Sequence, residues 1–324
     1  MPRALSQPFL GAFQSGILHS ILEAVIQDNT LDFQIRDEEV HIYYRGGKIL
    51  GVEPKDKCRR FLFSFDKKYF EDSAGAELPE LNVMSKELVS VWMSKLQALK
   101  LAMDRYFTKH EKSEREFQQL IVRENTYSNV SNGTDFFITD IEYGKMVKVD
   151  DEDRATRFDL IGLYWAAEAT LRRNARNHRP RLCLFELKYG DGALSGKSGM
   201  LDHLKCALAF CETNKPLQEL KAEVVDHFRI KRDLGLVRFA KSGGPADIAA
   251  LSDEKPYFVF LLANHNPRSS VLRTMLTDKD YLTAHAELNK HMEIRYATAS
   301  FMGYGLYESQ MLTREDLIAL LSKR

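Results

Sequence analysis

An apolar run in this chain, Leu182-Cys183-Leu184-Phe185, is followed by Glu186 and, two positions later, by Lys188. On a strand alternate side chains share a face, so these opposite charges point the same way. Upstream, Asp159 lies inside the segment Phe158-Asp159-Leu160-Ile161, where an isolated carboxylate is expensive to bury. If the two segments pair as strands, Asp159 and Glu186 approach each other. Two close carboxylates repel, and one takes up a proton unless a cation stands between them. A hard divalent ion such as Mg²⁺ satisfies both and keeps several waters besides. An ammonium beside that ion can orient an attacking water and neutralise charge developing on a phosphate. Two acids and a lysine at strand ends therefore suit phosphodiester hydrolysis. Acyl transfer needs a nucleophile with a paired base, and the sequence offers no such pair. Taken alone, Glu186 and Lys188 read as an ordinary salt bridge.

The elements that must position these residues can be read along the chain. Residues 1–84 form a β-rich module, with LDFQIR, EVHIYYRG and RFLFSF as strands and Arg45-Gly46-Gly47-Lys48 as a turn. Residues 85–110 read as a long linking helix: Leu88, Val91, Trp92, Leu96, Leu99 and Met103 recur at helical spacing without Gly or Pro. Residues 111–324 form the third region. It opens with a helix, EKSEREFQQLIVREN, followed by the strands TDFFITDIEYG, RFDLIGLYW and RLCLFELKY. The acidic stretch VDDEDRATR reads as the loop between the first two. A Gly/Ser loop, GDGALSGKSG, leads to the helix MLDHLKCALAFCETN, and PYFVFLLAN has the continuous apolar character of a fully buried strand.

FDLIG followed by LFELKYG, with a glutamate-bearing helix upstream and a helix and buried strand downstream, resembles the PD-(D/E)xK phosphodiesterase superfamily. The resemblance spans roughly residues 111–275. It implies an α/β (α+β) restriction-endonuclease-like core, a mixed four-stranded sheet flanked by helices in the order αβββαβ, and a nuclease. Asp159, Glu186 and Lys188 match the motif positions, so Asp159 and Glu186 would hold Mg²⁺, with Mn²⁺ able to substitute, and Lys188 would stand beside the metal. By the same resemblance the carbonyl of Leu187 would be a further ligand. Many members add a glutamate from the first core helix; Glu116 fits that pattern better than Glu124. Asp140 and Glu142 rank below it. Phe158 replaces the proline of the motif's name. Where some branches carry Gln after ExK, this chain offers Ser198, Asp202 and His203, and His203 could approach a phosphate.

Lys plus Arg and Asp plus Glu each total 46, so binding to a polyanion requires a local basic patch rather than a whole-molecule field. Arg172, Arg173, Arg176 and Arg179, between the two acidic strands, form one such cluster. Arg229, Lys231 and Arg232 form a weaker one, and Tyr43 and Tyr44 beside Arg45 could stack on bases as readily as pack in a core. Lys197 lies in the Gly/Ser loop, whose backbone N–H groups could meet phosphate. That loop lacks the GxxxxGK[ST] pattern, which argues against an NTPase. Asn264-His265-Asn266-Pro267-Arg268 lacks the additional spaced histidines of an HNH site and reads as a polar turn. Cys58, Cys183, Cys206 and Cys211 have no zinc-ligand spacing. No leader-like start and no run near ~18 apolar residues is present, so a cytoplasmic protein without a membrane partner is expected. DNA is the expected nucleic acid. The resemblance also implies homodimerisation where both strands are cut. The competing expectation is a catalytically silent nucleic-acid-binding or assembly module that retains the fold.

Overall fold

The computed structural model describes residues 4–71, 77–149, 152–168, 171, 179–212, 214–237, 247–266, 269–298 and 303–322. Among the described residues the chain is a mixed α+β protein with two five-stranded sheets. It divides into two compact units, Met1–Ser128 with Asp226–Arg238, and Asn129–Val225 with Phe239–Arg324.

In the first unit, helices α1 (Gln7–Gln14) and α2 (His19–Gln27) precede an antiparallel sheet of β1 (Leu31–Arg36), β2 (Glu39–Tyr44), β3 (Gly47–Lys55), β4 (Arg60–Ser64) and β5 (Asn82–Val83), paired in chain order. Arg45 and Gly46 both have positive φ, 49° and 71°, the backbone of a two-residue hairpin turn whose twist matches its strands. The long helix α3 (Lys86–Lys109) starts where the Ser85 hydroxyl accepts from Leu88 N. Val89, Trp92, Leu99 and Met103 form its buried stripe. Val91, expected in that stripe, is exposed. The helix α4 (Ser113–Val122) runs into a π turn, Arg123–Tyr127. Both helices thus group with the N-terminal sheet, and the boundary falls after Ser128 rather than at residue 111.

The second unit holds β6 (Phe136–Val149), β7 (Glu152–Tyr164), β8 (Arg181–Tyr189), β9 (Tyr257–Ala263) and β10 (Glu293–Ala297), in the order β10-β9-β8-β7-β6. β6, β7 and β8 pair antiparallel, whereas β8, β9 and β10 run parallel. The parallel step requires a crossover, supplied by α5 (Met200–Glu212) and α6 (Asn214–Asp233), the latter passing its residues from Asp226 onward to the first unit. α7 (Val271–Thr277) and α8 (Lys279–Leu288) make the second crossover, and α9 (Arg314–Ser322) follows β10.

Two expectations are corrected here. The acidic stretch is mostly strand: β7 begins at Glu152 and pairs with β6 through Val149↔Glu152, so β6 and β7 form a long ribbon. A fifth strand, β10, extends the four expected; its segment EIRYA alternates polar and apolar residues but is only five residues long. β9 lies between two parallel neighbours and is buried over six of its seven residues, as its apolar run predicts. Gly162, in the middle of β7, has no room for a side chain: a Cβ there would come 2.7 Å from the carbonyl oxygen of Phe137.

Candidate active site in the second unit

β8 carries the pair from which the chemistry was read. Phe185 and Leu187 fill one face of the sheet, and Glu186 and Lys188 alternate onto the other. Both charged side chains are 3% exposed, and Lys188 Nζ donates to Glu186 Oε1 at 2.7 Å. The β7–β8 ladder ends at Leu160↔Phe185, and one further step puts Asp159 at the level of Glu186. Asp159 leaves the regular ladder: its Oδ2 accepts from Leu187 N at 2.8 Å. A buried main-chain donor with no strand partner at that step is satisfied by a carboxylate. The strand pairing thus brings Asp159 to the same level of the sheet as Glu186 and its partner Lys188.

His203 joins them from the first turn of α5. Its Nε2 lies 2.9 Å from Glu186 Oε1, with the ring 16% exposed. Burial, and next the neighbouring Lys188 ammonium, push its pKa down to about 4, while the charges of Asp159 and Asp202 act in the opposite direction. The ring is thus neutral at physiological pH. The sequence marked this histidine as a polar residue after ExK that could approach a phosphate, not as a neighbour of Glu186. Its distance from Glu186 depends on how α5 returns to the sheet, which spacing along the chain does not encode.

Of the acids expected from other elements, Glu116, Glu124 and Asp140 are engaged elsewhere. Glu116 lies in the first unit, where it pairs with Arg45. Glu124, in the same unit, accepts from Arg123 Nε at 2.8 Å. On β6, Asp140 is buried and accepts from the N–H of Ile141. Glu142 has φ 51° and stands opposite Asp159, between the pairs Ile141↔Leu160 and Tyr143↔Phe158. The row Glu142, Asp159, Glu186 thus crosses three adjacent strands.

The basic and aromatic expectations fare unevenly. Arg172, Arg173 and Arg176 lie outside the described residues. Arg179 is exposed, 3.6 Å from Asp253. Lys197 is exposed in the loop before α5. Lys231 is fully buried, near Gln34 and the carboxylate of Asp32, and so cannot meet a phosphate. Arg229 and Arg232 pair with Asp226 and Asp233 on their own helix. Tyr43 is buried, the Tyr44 hydroxyl donates to Asp104, and Arg45 is held by Asp104 and Glu116. Tyr43 is packed, whereas Tyr44 and Arg45 are half-buried with their polar groups engaged. Burial raises the thiols of Cys183 and Cys211, so neither is an activated nucleophile.

At the end of β8 the polar turn after β9 comes into play. His265 Nδ1 lies 3.0 Å from Asp191 Oδ1 and its Nε2 lies 3.2 Å from the carbonyl oxygen of Lys188. Asp191 is in the turn after Gly190, whose φ of 69° ends the strand.

The donor set suits a small hard cation. Mg²⁺ is commonly held by one or two carboxylates, with water and substrate phosphate completing its shell, and Asp159 and Glu186 are two such carboxylates on adjacent strands. Among the described residues no group of three or more His, Cys, Asp or Glu forms an all-protein cage.

No protein-family model, curated protein or solved structure matches the chain.

Proposed function

We propose that the chain is a metal-dependent nuclease with a restriction-endonuclease-like core. The observation that carries this reading is the buried Lys188–Glu186 ion pair at 2.7 Å beside Asp159, whose carboxylate accepts from the intervening Leu187 N at 2.8 Å. The pairing order β9-β8-β7-β6, with the acids on the second and third of these strands, supports the fold assignment. So does the helical crossover between β8 and β9.

Asp159 and Glu186 would hold Mg²⁺, or Mn²⁺ in its place. The ion would supply Lewis-acid polarisation of a phosphoryl oxygen and a bound water of lowered pKa. Lys188 supplies a buried ammonium whose three hydrogens can orient the attacking water and meet charge growing on the phosphate. His203, neutral and next to Glu186, adds no positive charge that would compete for the carboxylate. Nucleic acid, DNA in the first instance, is the substrate class that combines a phosphodiester with the need for such a site.

A second reading has its own support. Lys188 already neutralises Glu186, so the same residues could persist as a buried ion pair in a nucleic-acid-binding module without activity. The deciding experiment is cleavage of plasmid, linear duplex, single-stranded DNA and RNA with Mg²⁺ or Mn²⁺, beside Asp159→Ala and Lys188→Ala. Metal-dependent cutting lost in both variants is expected. Metal-independent binding of one substrate with no cutting would replace the nuclease by the binding module.

A further inference from the structure

His265 is 11% exposed and both its ring nitrogens face oxygens, Asp191 Oδ1 and the Lys188 carbonyl. A carboxylate and a backbone carbonyl only accept, so the ring nitrogen is the donor in either contact. Asp191 is in its ionised form: hydrogen bonds from Ser269 first, and from His265, hold its carboxyl below the usual range. The histidine thereby bridges the turn after β8 to the loop after β9 and grips the main chain of Lys188 itself. Two more bonds cross the same gap, Gly190 N to Ala263 O at 2.8 Å and Asn264 Nδ2 to Tyr189 Oη at 3.1 Å.

This end of β8 needs such a bridge. Its antiparallel ladder to β7 stops at Phe185, so beyond that point β9 is the strand that pairs with it. Lys188 is three residues past the last β7 pair, and any rotation of its peptide swings Nζ away from Glu186.

We propose that His265 is a positioning residue for Lys188, with Asp191 as its anchor. The proposal rests on the reading of Lys188 as the ammonium that orients water, but the bridge itself can be tested apart from activity. Wild type, His265→Ala and Asp191→Asn are compared by trace acylation with acetic anhydride, measured lysine by lysine by mass spectrometry. Lys215, 82% exposed, is the internal rate standard. Lys231, fully buried in the first unit, reports global unfolding.

Acylation of Lys188 relative to Lys215 should rise about tenfold in both variants, the factor expected for loss of one charge-assisted hydrogen bond. Lys231 should stay protected. On the substrate that wild type cuts, kcat should fall by a similar factor while KM stays within about twofold. Continued protection of Lys188 overturns the proposal. So does labelling of Lys188 only together with Lys231, or an open Lys188 with unchanged kcat. A wild type that cuts no nucleic acid defeats the nuclease reading alone, because the labelling ratio still decides the bridge.

Discussion

Lys188 and Glu186 form an ion pair with 3% of each side chain exposed. Removing one member of such a pair strands the other charge and costs about 3–5 kcal/mol, whereas replacing both is far milder. Lys188→Met and Glu186→Gln should each lower stability by that order. The double variant should recover most of the loss in a denaturant-melting cycle; additive losses would mean that the two charges do not depend on each other. His203 adds a pH dependence in metal-free protein. Its pKa is pushed down to about 4 from 6.5 in the unfolded chain, so the unfolded state takes up the proton first. Its share of stability is complete above about pH 6.5 and is lost as pH falls towards 4, on the order of 3 kcal/mol in all. His203→Gln should flatten this part of the stability profile measured between pH 4 and 7.

At the scale of elements, the site depends on β7 and β8 being adjacent and on β7 lying close against β6. Gly162 secures the second condition, since a Cβ there would press on the Phe137 carbonyl at 2.7 Å and on the Ile138 and Phe185 side chains at 3.2 Å. Backbone gives way less readily than a side chain, so Gly162→Ala should cost about 1–3 kcal/mol. Thermal melting checks this; an unchanged midpoint would show that the sheet can open at no cost. The strands around the site were legible because their apolar runs are long and bounded by turn residues. The ribbon formed by β6 and β7 was not, because the outer half of β7, EDRATR, consists of charged and small residues with no apolar face. Ladder hydrogen bonds hold that half as strand where side-chain pattern alone reads loop.

For the whole molecule, no single helix among the described residues is long and apolar enough to cross a membrane. The division into two units reassigns α3 and α4, and Glu116 with them, to the N-terminal sheet. If Asp159 and Glu186 hold a divalent ion, ligand linkage raises folding stability by about 2.7 kcal/mol at a concentration a hundred times Kd. Mn²⁺ should therefore raise the melting temperature of wild type, and Asp159→Asn should remove the shift. An equal shift in both proteins would locate the ion elsewhere.

The sequence by itself determined the local part of this account. An alternating strand must direct Glu186 and Lys188 to one face, and a buried segment cannot hold Asp159 without a partner, since both follow from backbone geometry and desolvation. Only the tertiary structure decided which partners those are. The β7–β8 register brings Asp159 to Leu187, the return of α5 brings in His203, and the parallel entry of β9 brings His265 to the Lys188 carbonyl. It also buried Lys231 and gave Glu116 to Arg45. Those outcomes depend on pairings between residues far apart in the chain, which side-chain periodicity within one segment does not encode.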